Sequence, residues 1–272
     1  MRFLCVVTAC VAMANAALAG FIVKDGETLG FLGDSITAGG QSHPVGYVNL
    51  VLRTLEQEGI RVTPVKRGIG GMKSSDMLMR IDKEVLAQRP SVMTLSCGVN
   101  DVWHQDSGRG VSLEDYKKNV IAMLDHAAAS NCTVVVMTAT PFFYKAGAKD
   151  PHNVKLEPYN DFLRQIAAER KLPLADLNRM MWEASKTQDW LTQDGVHMRP
   201  NGYFVMAKGV LLALGADPAK IPEYEKDWRK IRGGTEIRIP VSLDEFEELG
   251  RKAAPYSGRI VDYIRVQSGL EK

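Results

Sequence analysis

Short apolar runs alternate with longer amphipathic stretches along most of the chain. The short runs are typical of strands buried on both faces of a sheet, and the longer stretches repeat apolar side chains at helical spacing. The pattern predicts strands at 29–32, 60–65, 91–96, 133–138 and 174–177, and helices from Tyr47 to Gly59, from Ser74 or Ser75 to Pro90, and at 113–129, 158–170 and 200–214. This alternation predicts an α/β fold, a three-layer α/β/α sandwich around a five-stranded parallel sheet.

The segment between the fourth predicted strand and the next helix is long. Residues 139–156 contain Pro141, Gly147 and Pro151, which are typical of a surface loop. Because this loop leaves the carboxyl end of a buried strand, we expect it to shape a substrate cleft.

Residues 1–19 have the features of an export signal. Arg2 supplies a positive charge, an apolar stretch follows, and residues 14–16 and 17–19 both have the small-x-small pattern of a cleavage site. We therefore expect a secreted or periplasmic protein. The residues before Cys10 resemble a lipobox, so lipid anchoring through Cys10 is the alternative. The apolar stretch is too short to span a bilayer stably, and we expect no stable membrane insertion of the mature chain.

Composition is that of an ordinary globular protein. The 272 residues are 45% hydrophobic and 24% charged, which suffices for one large core, and we expect it in residues 20–220. Residues 221–272 depart from the strand and helix alternation and are predicted to form a C-terminal extension that packs on the main domain. The net charge of +2, from 34 basic and 32 acidic residues, is too small to indicate a nucleic-acid partner.

Polar residues suited to nucleophilic chemistry follow the predicted strands. Ser35 follows the first strand and precedes a predicted glycine-rich turn, Gly39-Gly40, while Asp194 and His197 follow the fifth strand. Because the carboxyl ends of parallel strands meet at one edge of a sheet, we expect these side chains to lie close together. His197 is the candidate base for the Ser35 hydroxyl, and Asp194 is the carboxylate that would orient and stabilise its ring.

Three hydrogen-bond donors on the same edge form a candidate oxyanion hole. They are the backbone N–H groups of Ser35 and Gly71, which follow the first and second strands, and the side-chain amide of Asn100, which follows the third. Acyl transfer develops negative charge on the carbonyl oxygen of the substrate, and such donors stabilise it. The combination therefore indicates acyl transfer.

Other polar residues near these turns have further assignments. Asp34, Trp103 and His104 are predicted to contact the substrate, with packing within the loop as an equal alternative for Trp103 and His104. Asp101 is a possible rival to Asp194, but its position directly after Asn100 favours local hydrogen bonds that brace the loop. Since neither the histidines nor the cysteines have the spacing of metal ligands, we expect no metal and no cofactor.

Four of these segments, in order, resemble the blocks of the SGNH, or GDSL-type, hydrolases. They are Gly33-Asp34-Ser35-Ile36-Thr37, Gly71, Gly98-x-Asn100-Asp101 and Asp194-x-x-His197, within a resemblance from about Leu29 to Leu214. The resemblance implies a flavodoxin-like fold and metal-free ester hydrolysis through an acyl-enzyme, with residues 20–220 as the hydrolase domain. Lys66 and Met72 stand where the family often has Asn and Asp, which leaves Gly70 and Gly71 as alternatives for the oxyanion glycine.

The predicted function is an exported serine esterase that removes small acyl groups, first of all O-acetyl groups from carbohydrate. Export would bring the enzyme to polysaccharides, and Trp103, His104 and the 139–156 loop are suited to a sugar. A lysophospholipase or a thioesterase, which the family resemblance also implies, is one alternative. A non-catalytic carbohydrate-binding relative is another, although the joint presence of Ser35, Asn100 and His197 argues against it.

Overall fold

The computed structural model describes residues 20–144, 147–188 and 190–231. The predicted signal peptide and the part of the predicted extension beyond residue 231 lie outside the described residues. Within the described ranges, no helix combines the length and the apolar character that crossing a membrane requires.

Five parallel strands form the central sheet. They are β1 (Thr28–Gly33), β2 (Thr63–Gly68), β3 (Val92–Ser96), β4 (Thr133–Met137) and β5 (Leu174–Ala175). Their order is β2-β1-β3-β4-β5, so the chain leaves β1 toward one side for β2 and then crosses to the other side for β3. This is the flavodoxin-like order, in which ligands bind outside the carboxyl ends of the strands at the switch between β1 and β3. The predicted α/β fold is confirmed.

Helices cover the sheet. They are α1 (Ser35–Ser42), α2 (Tyr47–Gln57), α3 (Ser74–Glu84), α4 (Val99–Trp103), α5 (Leu113–Ala129), α6 (Pro151–Glu169), α7 (Leu177–Ser185), α8 (Pro200–Ala213) and α9 (Ile221–Trp228). Contacts join α2, α7 and α8 into one group and α3, α5 and α6 into another, because each presents an apolar stripe that must be buried. The middle strands are buried, as expected for a sheet covered on both faces.

Helix α1 replaces the predicted glycine-rich turn. Gly39 and Gly40 lie inside this helix, and each faces a close neighbour. A Cβ on Gly40 would overlap the Tyr47 ring, and one on Gly39 would overlap the Tyr203 hydroxyl. The two glycines therefore permit close packing of the helix, a role that local sequence does not distinguish from a turn.

Several other elements differ from the prediction, among them β2, α6 and α7. Strand β2 is displaced toward the carboxyl end, because pairing with β1 and not local apolar character sets its register. Helix α6 begins at Pro151, capped by Asp150, and contains Pro158, where the sequence predicts its start. Proline suits the first turn of a helix, so either proline fits that position. Helix α7 follows β5 directly and is absent from the prediction.

The start of the predicted C-terminal extension packs on the domain through Trp228. This side chain is fully buried, its Nε1–H donates to Thr54 Oγ1 at 3.1 Å, and its ring lies 5.7 Å from that of Phe204. Residues 221–231 therefore complete the core beside α2 and α8.

Candidate active site

Ser35 lies where the sheet switches direction. It directly follows the Gly33-Asp34 end of β1 and is the first residue of α1. The side chain is half-buried, so its hydroxyl is held by the fold and still reachable from solvent. The first N–H groups of a helix have no partner within the helix, so the Ser35 N–H is a candidate donor to an anion.

The structure brings Ser35, His197 and Asp194 together. The Ser35 Oγ atom lies 2.9 Å from His197 Nε2, across 162 residues of sequence. On the other side of the ring, His197 Nδ1 lies 2.6 Å from Asp194 Oδ2. With Nδ1–H donating to the carboxylate, Nε2 is left as the acceptor that faces the serine hydroxyl. This arrangement can remove the hydroxyl proton and stabilise the imidazolium that results.

The loop that carries Asp194 and His197 is tightly bonded. Asp194 Oδ1 accepts the backbone N–H groups of Val196 at 3.0 Å and His197 at 2.7 Å. Partial burial opposes ionisation of this carboxyl, but the hydrogen bonds from the His197 side chain and from these backbone groups outweigh it and lower the pKa of Asp194. Asp194 is therefore held as the anion that a partner of an imidazolium needs.

Gly195 lets a neighbouring loop pack on this turn. Its φ of +91° lies in the region that favours glycine, and a Cβ there would overlap the Tyr144 ring. The adjacent Phe143 N–H donates to the Gly195 carbonyl at 2.8 Å. The sequence predicts that the 139–156 loop shapes the cleft without singling out Phe143 or Tyr144. The three consecutive aromatic residues in this loop, Phe142 to Tyr144, were the available signal.

Asn100 and the glycine loop 69–73, both predicted to supply oxyanion donors, are hydrogen-bonded to each other. Asn100 is buried at the start of α4, and its Nδ2 donates to the Met72 carbonyl at 3.0 Å. An amide has two N–H donors, so this bond fixes the orientation of the amide and leaves a second donor. Gly71 is exposed and has a φ of +75°, while a Cβ on Gly70 would lie 3.9 Å from the Ser35 Cβ. Both glycines remain alternatives as the donor.

The Asp101 side chain also bonds a residue far outside its own loop. Its fully buried carboxylate accepts the backbone N–H of Ser74 at 3.0 Å and the Ser74 hydroxyl at 2.5 Å, 27 residues away in sequence. Burial raises the pKa of Asp101, and the bonds from Ser74 act against that effect. The Asp101 carboxylate therefore joins the start of α4 to the start of α3, a long-range contact that the prediction of local bonds does not include.

Asp34 differs from the prediction that it contacts the substrate. Its side chain is 1% exposed and caps α1 by accepting the Ile36 N–H at 2.9 Å. Burial is the main cause that raises the pKa of Asp34 to about 6, with the Ile36 hydrogen bond acting in the opposite direction. The Asp34 carboxylate is therefore buried as the N-cap of α1, a position at which asparagine, aspartate and serine are favoured, and it has almost no surface left for a substrate.

Trp103, at the end of α4, lies beside His197, and His104 follows it in the chain. The Trp103 ring is partly buried, 6.3 Å from the ring of His197 and 6.4 Å from that of Phe142. His104 is also partly buried, and burial together with the charges of Lys73 and Arg109 lowers its pKa. Burial and these two charges therefore favour the neutral form of the His104 ring.

His152 packs against Phe142, the ring that contacts Trp103. His152 is absent from the predicted site. Its ring lies 5.0 Å from that of Phe142, and its two nitrogens lie 2.7 Å from carboxylate oxygens of Asp150 and Asp106. Burial of the ring lowers the pKa of His152, but hydrogen bonds to Asp150 and Asp106 outweigh it and raise the pKa. Spacing in sequence gives no signal for this contact, because Asp106 is 46 residues away.

Nothing in the described part of the chain groups three or more histidine, cysteine, aspartate or glutamate side chains so that they could hold a metal ion. The groups that the site does contain are a hydroxyl, an imidazole, a carboxylate and hydrogen-bond donors.

The chain is similar in sequence to one known protein family and to individual bacterial proteins. The profile of the GDSL-like lipase/acylhydrolase family matches residues 31–204, more than half of the chain. An acetylxylan esterase from Geobacillus stearothermophilus is 29% identical over 214 residues, covering 71% of this chain and 96% of that protein. The uncharacterized lipoprotein YqeF from Bacillus subtilis is 26% identical over 190 residues, covering 59% of this chain and 76% of that protein.

The crystal structure of the Geobacillus acetylxylan esterase is similar throughout the domain. It has a TM-score of 0.65 and 27% identity, and the similarity covers 72% of this chain and 97% of that one. Other structures of that enzyme are of catalytic mutants in which a serine, an aspartate or a histidine is replaced by alanine.

Proposed function

The chain belongs to the GDSL-like lipase/acylhydrolase family, and from that premise we propose that it removes short acyl groups, above all O-acetyl groups, from carbohydrate. It is a carboxylic ester hydrolase. The observation that carries the proposal is the continuous hydrogen-bonded series from Ser35 Oγ through the His197 ring to Asp194, at 2.9 and 2.6 Å.

In the first step, Ser35 Oγ attacks the ester carbonyl while His197 Nε2 takes the hydroxyl proton. Asp194 stabilises the imidazolium through Nδ1–H and keeps the ring in one orientation. The tetrahedral oxyanion accepts hydrogen bonds from the Ser35 N–H, from the free N–H of Asn100, and from Gly71 or Gly70. When the bond to the leaving oxygen breaks, His197 returns the proton to that oxygen, and the alcohol leaves an acyl-enzyme on Ser35.

In the second step, water takes the place of the alcohol. His197 accepts a proton from the water as its oxygen attacks the acyl carbonyl, and the same donors stabilise the second oxyanion. The Ser35 oxygen then leaves and recovers the proton from His197. The products are a free acid and the original hydroxyl, so the cycle consumes one water and no cofactor.

The acetylxylan esterase relative supports carbohydrate as the substrate class. The partly buried indole of Trp103 beside His197 supports it independently, because the flat apolar faces of sugar rings pack well on aromatic rings. We place the acyl group toward Ser35 and the oxyanion donors, and the sugar toward Trp103 and His104.

We further propose that the protein is exported. The pattern of residues 1–19 supports a secreted or periplasmic enzyme, and the lipoprotein relative keeps lipid anchoring through Cys10 as the alternative. An exported esterase would meet polysaccharide decorations outside the cytoplasm.

The function is tested by assaying p-nitrophenyl acetate, butyrate and octanoate, followed by acetylated xylo-oligosaccharides. We expect turnover that declines steeply beyond the acetyl group and release of acetate from the oligosaccharide. Ser35→Ala should be inactive, whereas Ser42→Ala, which removes an exposed hydroxyl from the same helix, should match the wild type. Preference for octanoate would favour a lysophospholipase or thioesterase. An inactive wild type that still binds the oligosaccharide would favour a binding module.

A further inference from the structure

Asp101 is a buried carboxylate that the reaction described above does not use. It is fully buried, and no cation pairs with it among the described residues. Its bonds come from the Ser74 backbone and hydroxyl, and Asn119 Nδ2 donates to the same hydroxyl at 3.0 Å. A buried anion without a cation costs stability, so a fold that needed only packing here would be served as well by an apolar side chain.

The bonds of Asp101 end on Ser74, directly after the loop that is predicted to supply an oxyanion donor. Ser74 is the first residue after the glycine loop 69–73, whose glycines are exposed and have no side chains to hold them. At the other end of the loop, the Ile69 N–H donates to the Gly33 carbonyl at 3.1 Å. The loop is thus fixed at its start to the strand before Ser35, and at its end to Asp101.

Asn100, the neighbour of Asp101, bonds the middle of the same loop. Its amide donates to Met72, two residues before Ser74. Two consecutive residues of α4 therefore hold this segment. Asn100 bonds Met72 within the loop, and Asp101 bonds Ser74 directly after it. Asn100 is itself a predicted oxyanion donor. Any shift of Ser74 away from Asp101 would move the Met72 carbonyl and turn the Asn100 amide.

We propose that Asp101 and Ser74 form a positioning pair that sets the distance between the Asn100 amide and the glycine N–H around the oxyanion. The pair touches no substrate atom and acts only through Asn100 and the glycine loop. This inference rests on the proposed function, because it assigns the pair to stabilisation of the oxyanion of that reaction.

The test compares Asp101→Asn, Ser74→Ala and the double variant with the wild type on p-nitrophenyl acetate. A misplacement of about 1 Å at an active site can cost about 100-fold in rate, so we expect kcat to fall roughly 10- to 100-fold with KM nearly unchanged. A boronic acid forms a tetrahedral adduct with an active-site serine, and its Ki should rise by the same factor as kcat/KM falls. The double variant should be no worse than the poorer single variant, since both changes weaken the same contact between Asp101 and Ser74.

Asp176→Asn is the matched control. Asp176 also accepts a hydroxyl, from Thr138 at 3.0 Å, and caps a helix at the carboxyl end of the sheet, but it pairs with Arg164 and not with the glycine loop. We expect it to lower the melting temperature and leave kcat and the boronic acid Ki unchanged. Ser74→Ala keeps the backbone bond to Asp101, so it provides a folded variant if Asp101→Asn is unstable.

Two results would contradict the inference in distinguishable ways. If the wild type hydrolyses the ester while folded Ser74→Ala and Asp101→Asn keep kcat and Ki within about twofold, the pair is structural and only this inference fails. If the wild type hydrolyses no ester, the proposed function fails first and the inference fails with it.

Discussion

Asp194 holds both the ring and the backbone of His197. One carboxylate oxygen lies 2.6 Å from Nδ1 of the ring, and the other accepts the N–H of the same residue at 2.7 Å. Rotation of either side chain would break one of these bonds. The ring therefore has a single orientation, with Nε2 directed to Ser35.

Asp194→Asn should lower kcat by roughly 10²- to 10⁴-fold, as loss of the carboxylate does in comparable triads. The asparagine oxygen can still accept the backbone N–H groups, but its NH₂ would favour the tautomer in which Nε2 carries the proton and cannot act as a base. Steady-state kinetics on p-nitrophenyl acetate measure the loss. Gln193→Ala, which alters an exposed side chain of the same loop, is the control. A kcat within tenfold of the wild type would remove Asp194 from the mechanism.

Asn100→Ala should reduce kcat by about 10²- to 10³-fold, the usual effect of losing one oxyanion donor. The same change removes the bond to Met72, so it is compared with the Asp101 and Ser74 variants, which leave the amide in place. We expect Asn100→Ala to lower kcat more than the Asp101 and Ser74 variants do, because Asn100 supplies the hydrogen-bond donor itself. Equal losses in all three would mean that Asn100 acts only by holding the loop.

Trp103→Ala should weaken hydrolysis of acetylated xylo-oligosaccharides more than that of p-nitrophenyl acetate. Removing an aromatic contact worth about 1 kcal/mol corresponds to a roughly fivefold loss in kcat/KM for the sugar substrate. Trp103→Phe keeps an aromatic face beside His197 and should lose less. Equal losses on both substrates would assign Trp103 to support of His197 rather than to the sugar.

Asp34→Asn should change how stability depends on pH. The folded pKa of about 6 is above the ordinary value of 3.8, so between these values the folded protein binds more protons than the unfolded chain. The free energy of unfolding therefore falls as pH rises from about 4 to about 6, by an amount on the order of 2 kcal/mol from this group. In the variant, the free energy of unfolding should not show this decrease between about pH 4 and about pH 6. Asparagine caps a helix as well as aspartate does, but it does not titrate. Urea unfolding across this range measures it, and parallel curves would contradict the burial argument.

His152→Gln should destabilise the protein mainly at acid pH. The raised pKa of His152 means that its bonds to Asp150 and Asp106 contribute fully below the unfolded pKa and are lost as pH rises through the folded pKa. The difference from the wild type should therefore be largest near pH 6 and shrink by pH 9. His126→Gln, which removes an exposed pairing with Asp82, is the control and should have a small effect. A loss that does not vary with pH would assign His152 to packing on Phe142.

Much of the fold follows from local pattern. The helix Leu113–Ala129 has the predicted bounds, and β3 and β4 differ from the prediction by one residue, since long amphipathic and strongly apolar segments have only one way to be buried. Short elements next to glycine and proline are where the prediction is wrong, as at α1 and at the start of α6, because the same residues fit a turn, a helix start or a close contact.

By itself, the sequence predicted an α/β fold with a parallel sheet and named Ser35, Asn100, Asp194 and His197 as candidates. The prediction relied on polar residues in loops beyond predicted strands, because strand ends share one edge of a parallel sheet. Only the tertiary structure decided which other polar residues join them. It buried Asp34 under α1, paired Asp101 with Ser74 across 27 residues, and set His152 between two carboxylates. These contacts depend on how helices from distant parts of the chain pack. Burial of single polar side chains in this way does not produce a periodic pattern in the sequence.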